Sequence, residues 1–274
     1  MSTHLVTIAR MEFTAAARLW WIRLFTTAYA MVTIAMAYAS GVIGEADSSE
    51  GFARLTVAVL PLALMLVPLA SLLIGTSGAP EGGETAFLLA QPVTRRQLAL
   101  GCWIGQAAAV STTLVIGLGT GGAVVAAISG ASDITRLAAL VGACVLAGLA
   151  FLSIGSLLAS AVPRRSAAMG AAAFIWFVAV ILYDAAMLGL ALLMPGTAGA
   201  QVLFVSVFAN ALDLVRVLTL ILAGTPHVLG AAGESWLRAL GGPTAAMAMS
   251  STALAAWIVV PLALATRIHS VRDL

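Results

Sequence analysis

Long apolar stretches alternate with short polar segments along the whole chain. A helix needs about 20 predominantly apolar residues to cross the hydrocarbon core of a bilayer. Six stretches reach that length, so the pattern predicts an all-α polytopic membrane protein with six transmembrane helices in a single transmembrane domain, residues 1–274. The predicted spans are residues 22–43, 54–77, 98–128, 137–160, 167–194 and 244–266.

The N-terminal segment before the first span has a helical pattern of its own. Leu5, Ile8, Met11 and Ala15 recur at the three- and four-residue spacing of one helix face. This spacing predicts an amphipathic helix over residues 1–21 that lies at the cytoplasmic interface of the membrane and leads into the first span. A frayed tail is the alternative for this segment.

The connection between the fifth and sixth spans, residues 195–243, is longer and more mixed than the others. Its apolar stretch from 202 to 222 is interrupted by Asn210, Asp213 and Arg216. Asp213 and Arg216 are three residues apart, so on a helix they share a face and can pair. A seventh span is one interpretation of this stretch. We favour external helices that re-enter the outer leaflet, because irregular backbone at membrane depth is tolerated where protein or water covers it.

Composition supports a membrane protein and removes one class of function. The chain is 62% hydrophobic and 9% charged, whereas soluble domains carry about 25% charged residues. All 13 basic residues are arginine. Because the chain has no lysine, it has no Walker A phosphate-binding lysine and is not itself a standard P-loop ATPase.

The distribution of arginine predicts how the spans are oriented, because cytoplasmic loops carry an excess of Arg and Lys. Nine arginines fall on one side of six alternating spans, and four fall on the other. The arginine-rich side is therefore predicted to be cytoplasmic, together with both termini. The nine are Arg10, Arg18, Arg23, Arg95, Arg96, Arg164, Arg165, Arg267 and Arg272.

Asp184 is an acid well inside the fifth predicted span, in its outer half. An ionisable residue within a span usually faces protein or water. We therefore expect Asp184 either to face an exit pathway or to form a structural hydrogen bond with a neighbouring hydroxyl group.

Other motifs in the spans are interpreted as packing features. Residues 117–122, GLGTGG, match the dinucleotide pattern G-x-G-x-x-G but follow no strand. Like Gly101 and Gly105, they supply small residues that allow helices to approach closely. Cys102 and Cys144 are interpreted as small packing residues. We expect no catalytic site and no metal site, because the three histidines are scattered and the ten methionines suit core or lipid contacts.

A polar stretch between the second and third spans, residues 78–97, interrupts the apolar pattern. Pro92 disfavours helical conformation in the residue before it. Thr94 and Gln97 form a T-x-x-Q capping box, which predicts a helix that starts at Arg95. The stretch is thus predicted to form a short helix, a break and a second helix at the cytoplasmic surface.

The predicted second helix starts with two cations, Arg95 and Arg96. The positive end of a helix dipole disfavours each cation by about 0.3–1 kcal/mol. Lipid headgroups, Glu81 or Glu84, or an acidic partner can offset that cost. Two interpretations remain open, namely a polar loop that fixes the topology and a docking platform for a cytosolic motor.

These features resemble the permease subunit of type 2 ABC transporters. The amphipathic helix, the six spans, the stretch EGGETAFLLAQPVTRRQLALGCWIG and the external helices match that family over nearly the whole chain. The resemblance implies a homodimeric permease that binds two copies of a cytosolic ABC ATPase. It implies ATP on the partner subunit and no cofactor bound directly to this chain. It assigns ATPase coupling to Glu81, Gly82, Gly83, Glu84, Arg95 and Arg96. Because isolated charges in an outer-leaflet helix are costly, we separately predict an external gate or partner-docking surface at Asn210, Asp213 and Arg216. The alternative is an Asp213–Arg216 pair that only holds the shape of the hairpin.

Within that family, the resemblance is strongest to the branch that serves maturation of nitrous oxide reductase. The branch implies a bacterial inner membrane, a periplasmic partner protein and export of a sulfur-containing species for copper-site assembly, with no nucleic-acid partner. The alternatives are a type 2 ABC exporter of another substrate, an ion-coupled secondary transporter and a non-transporting scaffold. The supporting local matches are residues 81–105, Ser166 to Ala168, Trp176, Phe177 and Asp184, and the three polar residues of the external segment.

Overall fold

The structure is a computed structural model of the 274-residue chain. It describes residues 3–39, 51–77, 94–129, 134–195, 197–224 and 230–271. Most of the predicted coupling region, residues 78–93, lies outside the described residues. The coupling residues concerned are Glu81, Gly82, Gly83 and Glu84.

The described part of the chain is built from helices, as the apolar pattern predicts, and contains no strand. Six helical segments are long and apolar enough to cross a membrane, which confirms the six predicted spans. The helices are α1 (Thr3–Arg18), α2 (Trp20–Ala39), α3 (Gly51–Thr76), α4 (Arg95–Ser129), α5 (Ile134–Ala161), α6 (Arg165–Phe177), α7 (Tyr183–Leu193), α8 (Ala198–Ala209), α9 (Ala211–Leu222), α10 (Gly230–Ala239) and α11 (Pro243–Val271).

Helix α5 forms the centre of the bundle. It packs most extensively against α3, and it also contacts α11, α4 and α9. Leu140, Cys144, Ala147 and Phe151 recur along α5 at three- and four-residue steps, and all four are buried. Cys144 has no exposed surface, in keeping with its interpretation as a packing residue.

Helix α4 presents glycines at four-residue intervals, and two other helices pack against them. A Cβ on Gly105 would lie 2.5 Å from the carbonyl oxygen of Ala9 in α1, and Gly101 is similarly close to α1. Further along, a Cβ on Gly121 would lie 2.6 Å from the Cβ of Thr33 in α2. These contacts confirm that the G-x-x-x-G pair and the GLGTGG stretch serve close helix packing.

The predicted N-terminal helix forms as α1, and the face that packs against α4 coincides only in part with the apolar stripe predicted to face the membrane. Ile8 and Ala16 are buried, whereas Met11 is 46% exposed and Ala15 is also exposed. Glu12, which the predicted stripe excluded, is partly buried. Because α1 packs along α4, the glycines of α4 decide which face is covered, and the sequence of α1 carries no signal for them.

Helix α4 begins where the capping box predicts. The backbone N–H of Thr94 donates to Gln97 Oε1 (3.1 Å), and the backbone N–H of Gln97 donates to Thr94 Oγ1 (3.2 Å). These reciprocal bonds satisfy two N–H groups that a helix start leaves unpaired. The helix starts at Arg95, which is partly buried, and the next residue, Arg96, is exposed.

The fifth span is a continuous rod on the outside of the bundle. The π-helical turn Val178–Leu182 joins α6 to α7 without a break. Trp176 attaches the rod to α3, because its Nε1 donates to the carbonyl oxygen of Met65 (2.8 Å). Large apolar side chains such as Phe174 and Leu193 are exposed on this rod. Such an apolar surface suits contact with lipid or with another protein surface.

Candidate functional site

The polar residues predicted in the external segment lie around a sharp break between α8 and α9. The two helices meet at an angle of 92°, and Asn210 occupies the break in an extended conformation. Each helix has 12 residues, which at 1.5 Å per residue is about 18 Å, too short to cross a hydrocarbon core of about 30 Å alone. The bend fits both the re-entrant pair that we favoured and the alternative, a single broken span.

Asn210 holds the break together. Its Oδ1 accepts a hydrogen bond from the backbone N–H of Leu212 (3.1 Å), which caps the start of α9. Its Nδ2 donates to the carbonyl oxygen of Ala179 (3.0 Å), in the π-helical turn of the fifth span. Asn210 is 5% exposed and uses both polar atoms within the chain, so it lies at the junction of α8 and α9. Its predicted part in an external gate or docking surface stays a prediction.

Aromatic donors satisfy carbonyl groups near the end of α8. The last four carbonyl groups of a helix have no partner within the helix, and an unsatisfied one is costly at membrane depth. The hydroxyl group of Tyr183 donates to the carbonyl oxygen of Ser206 (2.6 Å), and Trp257 Nε1 donates to that of Phe208 (3.1 Å). These bonds tie the end of α8 to α7 and α11. The sequence carries no signal for this role of Tyr183, because its acceptor lies 23 residues away on another helix.

Arg216 connects the two acidic residues of this region. Its Nη1 donates to Asp213 Oδ1 (3.0 Å) and to Asp184 Oδ2 (3.2 Å). The first contact confirms the predicted pairing across one helical turn. The second contact joins Asp184 of the fifth span to the external segment, which the sequence analysis treated separately. Asp184 thus forms an ion pair instead of a hydrogen bond with a hydroxyl group, which was one of its two expected roles. We call Asp184, Asp213 and Arg216 the ion triad.

The members of the ion triad differ in exposure. The side chains of Asp184 and Arg216 are 47% and 43% exposed, whereas that of Asp213 is 13% exposed. Burial, followed by the charge of Asp184, raises the pKa of Asp213 to about 6, although the Arg216 guanidinium opposes this shift. With both carboxyl groups ionised, the triad carries one net negative charge.

A cavity of about 490 Å³ lies beside the ion triad, between α8, α9 and α10. Asp213 and Arg216 line it, and so do Gln201 and the aromatic side chains of Phe204 and Trp236. Trp236 is held in place because its Nε1 donates to the carbonyl oxygen of Phe204 (3.2 Å). A pocket with apolar walls and a few converging polar groups is the usual form of a small-molecule site.

The predicted coupling arginines lie far from the ion triad. Trp103 Nε1 donates to Ser153 Oγ (3.1 Å), which places the first turns of α4 beside the last turns of α5. Arg95, at the start of α4, is therefore at the same end of the bundle as Arg165, which follows α5. Asp184 lies about 29 Å along the rod from Arg165, at 1.5 Å per residue. The structure thus separates the two groups of predicted site residues along the length of the bundle.

Comparison with known proteins shows which family has this architecture. A family model described as ABC-2 family transporter protein matches residues 6–274. The chain is 30% identical over 225 residues to the "Probable ABC transporter permease protein NosY" of Pseudomonas aeruginosa, an alignment that covers 78% of this chain and 80% of that protein. It is also 30% identical over 224 residues to the protein of the same name from Stutzerimonas stutzeri, with the same coverage.

Proposed function

Because this chain belongs to the ABC-2 family and is a permease subunit of an ABC transporter, we propose that it converts ATP hydrolysis by a separate cytosolic ATPase into opening and closing of an outward-facing cavity. The family match over residues 6–274 is the observation that carries this proposal. ATP binds to the partner subunit, and this chain binds no cofactor of its own. The same match favours an ABC permease over an ion-coupled secondary transporter or a scaffold.

The ATPase contacts the cytoplasmic segment 78–97. Arg95 and Arg96 form the first turn of α4, and the capping box fixes where that turn begins. Since α1 packs along the same helix, a push on this segment would move α4 and α1 together. Glu81, Gly82, Gly83 and Glu84 complete the proposed contact.

The active permease is a homodimer. Asp184 is 47% exposed on a rod that also exposes many large apolar side chains. Ionisable residues in a membrane face protein or water rather than lipid, because contact with hydrocarbon is costly. A second copy placed against this rod would cover the apolar face and enclose the polar region next to Arg216.

The protein resides in a bacterial inner membrane with both termini in the cytoplasm. Its cargo is a sulfur-containing species for copper-site assembly of nitrous oxide reductase, and a periplasmic protein docks near Asp213 and Arg216. The identity of 30% to two NosY permeases over 78% of the chain supports this assignment. Export of another substrate by the same ABC mechanism is the second candidate.

Reversal of charge at the proposed coupling segment tests this function. The chain carrying Arg95→Glu and Arg96→Glu is co-expressed with its ATPase, and ATPase co-purification and ATP turnover are measured. We expect the double variant to insert normally and to lose most ATPase association. The control is Arg267→Glu, which removes a cation from the same predicted side at the far end of the chain. Full association and turnover with the double variant would refute the proposed contact.

A further inference from the structure

The cavity beside the ion triad has walls suited to an apolar or aromatic body. Phe204 and Trp236 line it, and their ring centroids are 6.0 Å apart. The ring of Phe208, which does not line the cavity, packs 5.7 Å from that of Trp236. Val207 and Val217 also line the cavity. Its volume of about 490 Å³ falls within the range of about 300–1,000 Å³ that is typical of ligand pockets.

The polar groups at the wall of this cavity favour positive charge in a bound molecule. Asp213 uses Oδ1 to accept from Arg216, and within the described part of the chain its Oδ2 accepts no hydrogen bond. Arg216 is already shared between two carboxylates, because Nη1 also donates to Asp184. Asp184 does not line the cavity, but it pairs with Arg216 at the cavity wall, so the ion triad as a whole carries one excess negative charge. An anion next to Arg216 would compete with the two carboxylates that already share its guanidinium, whereas a cation next to Asp213 gains from the net charge of the triad and from the aromatic faces.

From this combination we propose that the cavity between α8, α9 and α10 is a binding site for a lipophilic organic cation. The cationic group lies near Asp213, and the apolar body packs against Phe204 and Trp236. This site is distinct from the proposed ATPase contact and does not depend on which cargo is exported. A permease that fails the coupling test can still bind the cation, so the two proposals fail separately.

The direct test uses two probes of the same shape and opposite charge. Tetraphenylphosphonium and tetraphenylborate are titrated against the full-length chain in lipid nanodiscs, and protein-free discs supply the blank for partition into lipid. Binding is measured by equilibrium dialysis. We expect saturable, protein-dependent binding of the phosphonium and none of the borate. Equal binding of both ions, or protein-dependent binding of neither, would overturn the proposal.

Variants of the ion triad provide a charge series. Asp213→Asn brings the net charge of the triad from −1 to zero and should weaken phosphonium binding, on the order of tenfold for a charge at the cavity wall. Arg216→Gln brings the net charge to −2 and should strengthen binding. A distorted cavity would weaken phosphonium binding in both variants. Changes in affinity of opposite direction therefore separate the charge effect from misfolding. A change in the same direction would contradict the proposal.

A cavity-filling variant tests the location of the site. Ala200 lines the cavity from α8, and Ala200→Phe would occupy part of the volume without changing the charge. We expect this variant to lose phosphonium binding while the purified protein stays monodisperse. Unchanged affinity would place the bound cation elsewhere and refute the assignment.

Discussion

Asp184 and Arg216 are 32 residues apart in the sequence and are joined by an ion pair of 3.2 Å. This contact ties the first turn of α7, within the fifth span, to α9, the second helix of the proposed re-entrant pair. The same Nη1 atom also serves Asp213 at 3.0 Å. If α7 moves away from α9, Arg216 therefore loses its contact with Asp184 and keeps its contact with Asp213.

The two acids of the ion triad should contribute unequally to stability. Asp184 is 47% exposed, so Asp184→Asn should cost less than about 1 kcal/mol. Asp213 is 13% exposed, so Asp213→Asn leaves a partly buried guanidinium with its weaker partner and should cost about 1–3 kcal/mol. Thermal unfolding of both variants in the same detergent measures the difference. A larger loss for Asp184→Asn would show that the pair between helices dominates.

Exchanging the charges of Asp213 and Arg216 within α9 should impair function. The double variant Asp213→Arg with Arg216→Asp keeps a pair within the helix, but it places a carboxylate at position 216 next to Asp184. The repulsion should leave transport activity well below normal. Adding Asp184→Asn removes that repulsion and should recover part of the activity. Full recovery by the double variant alone would mean that the contact with Asp184 is unimportant.

Loss of an aromatic donor at the end of α8 should destabilise the protein. Trp257→Phe removes the hydrogen bond to the carbonyl oxygen of Phe208 and should cost about 1–3 kcal/mol in the free energy of unfolding. The matched control is Trp103→Phe, which removes a bond to Ser153 Oγ (3.1 Å). That hydroxyl group still donates to the carbonyl oxygen of Leu149 (3.0 Å), so the control should cost less. Equal melting temperatures for the two variants would argue against a special role for Trp257.

A methyl group at the contact between α1 and α4 should displace α1. Gly105→Ala would place a Cβ 2.5 Å from the carbonyl oxygen of Ala9, and overpacking of this kind costs about 1–3 kcal/mol. Gly119→Ala in the same helix meets nothing within 4 Å. It should be neutral or stabilising by up to about 1 kcal/mol, because Ala favours helix over Gly. Melting temperature and protease cleavage within α1 distinguish the two variants.

Cysteine labelling tests the topology. In a chain whose two natural cysteines are replaced by alanine, single cysteines at Ser2 and Asp273 should both react from the cytoplasm. Cysteines at Thr197 and Gly224, at the two ends of the α8–α9 pair, should both react from outside if the pair is re-entrant. Labelling of Thr197 and Gly224 from opposite sides would mean that residues 198–222 cross the membrane.

Features that depend on neighbours along one helix could be predicted from the sequence. The six spans follow from the length of apolar runs, since a bilayer sets a minimum span length. The start of α4 follows from Thr94 and Gln97, which act across one turn. The pairing of Asp213 with Arg216 follows from the three-residue spacing of a helix.

Features that depend on which helices become neighbours were decided by the tertiary structure alone. The face of α1 that packs against the bundle is the face that meets Gly101 and Gly105 of α4, and the apolar stripe of α1 does not by itself identify it. The contact of Asp184 with Arg216 and the hydrogen bond from Asn210 Nδ2 to the carbonyl oxygen of Ala179 join segments about 30 residues apart. In a sequence that is 62% hydrophobic, the apolar pattern shows which segments enter the membrane. It does not show which helix a given face will meet, because nearly every face is apolar.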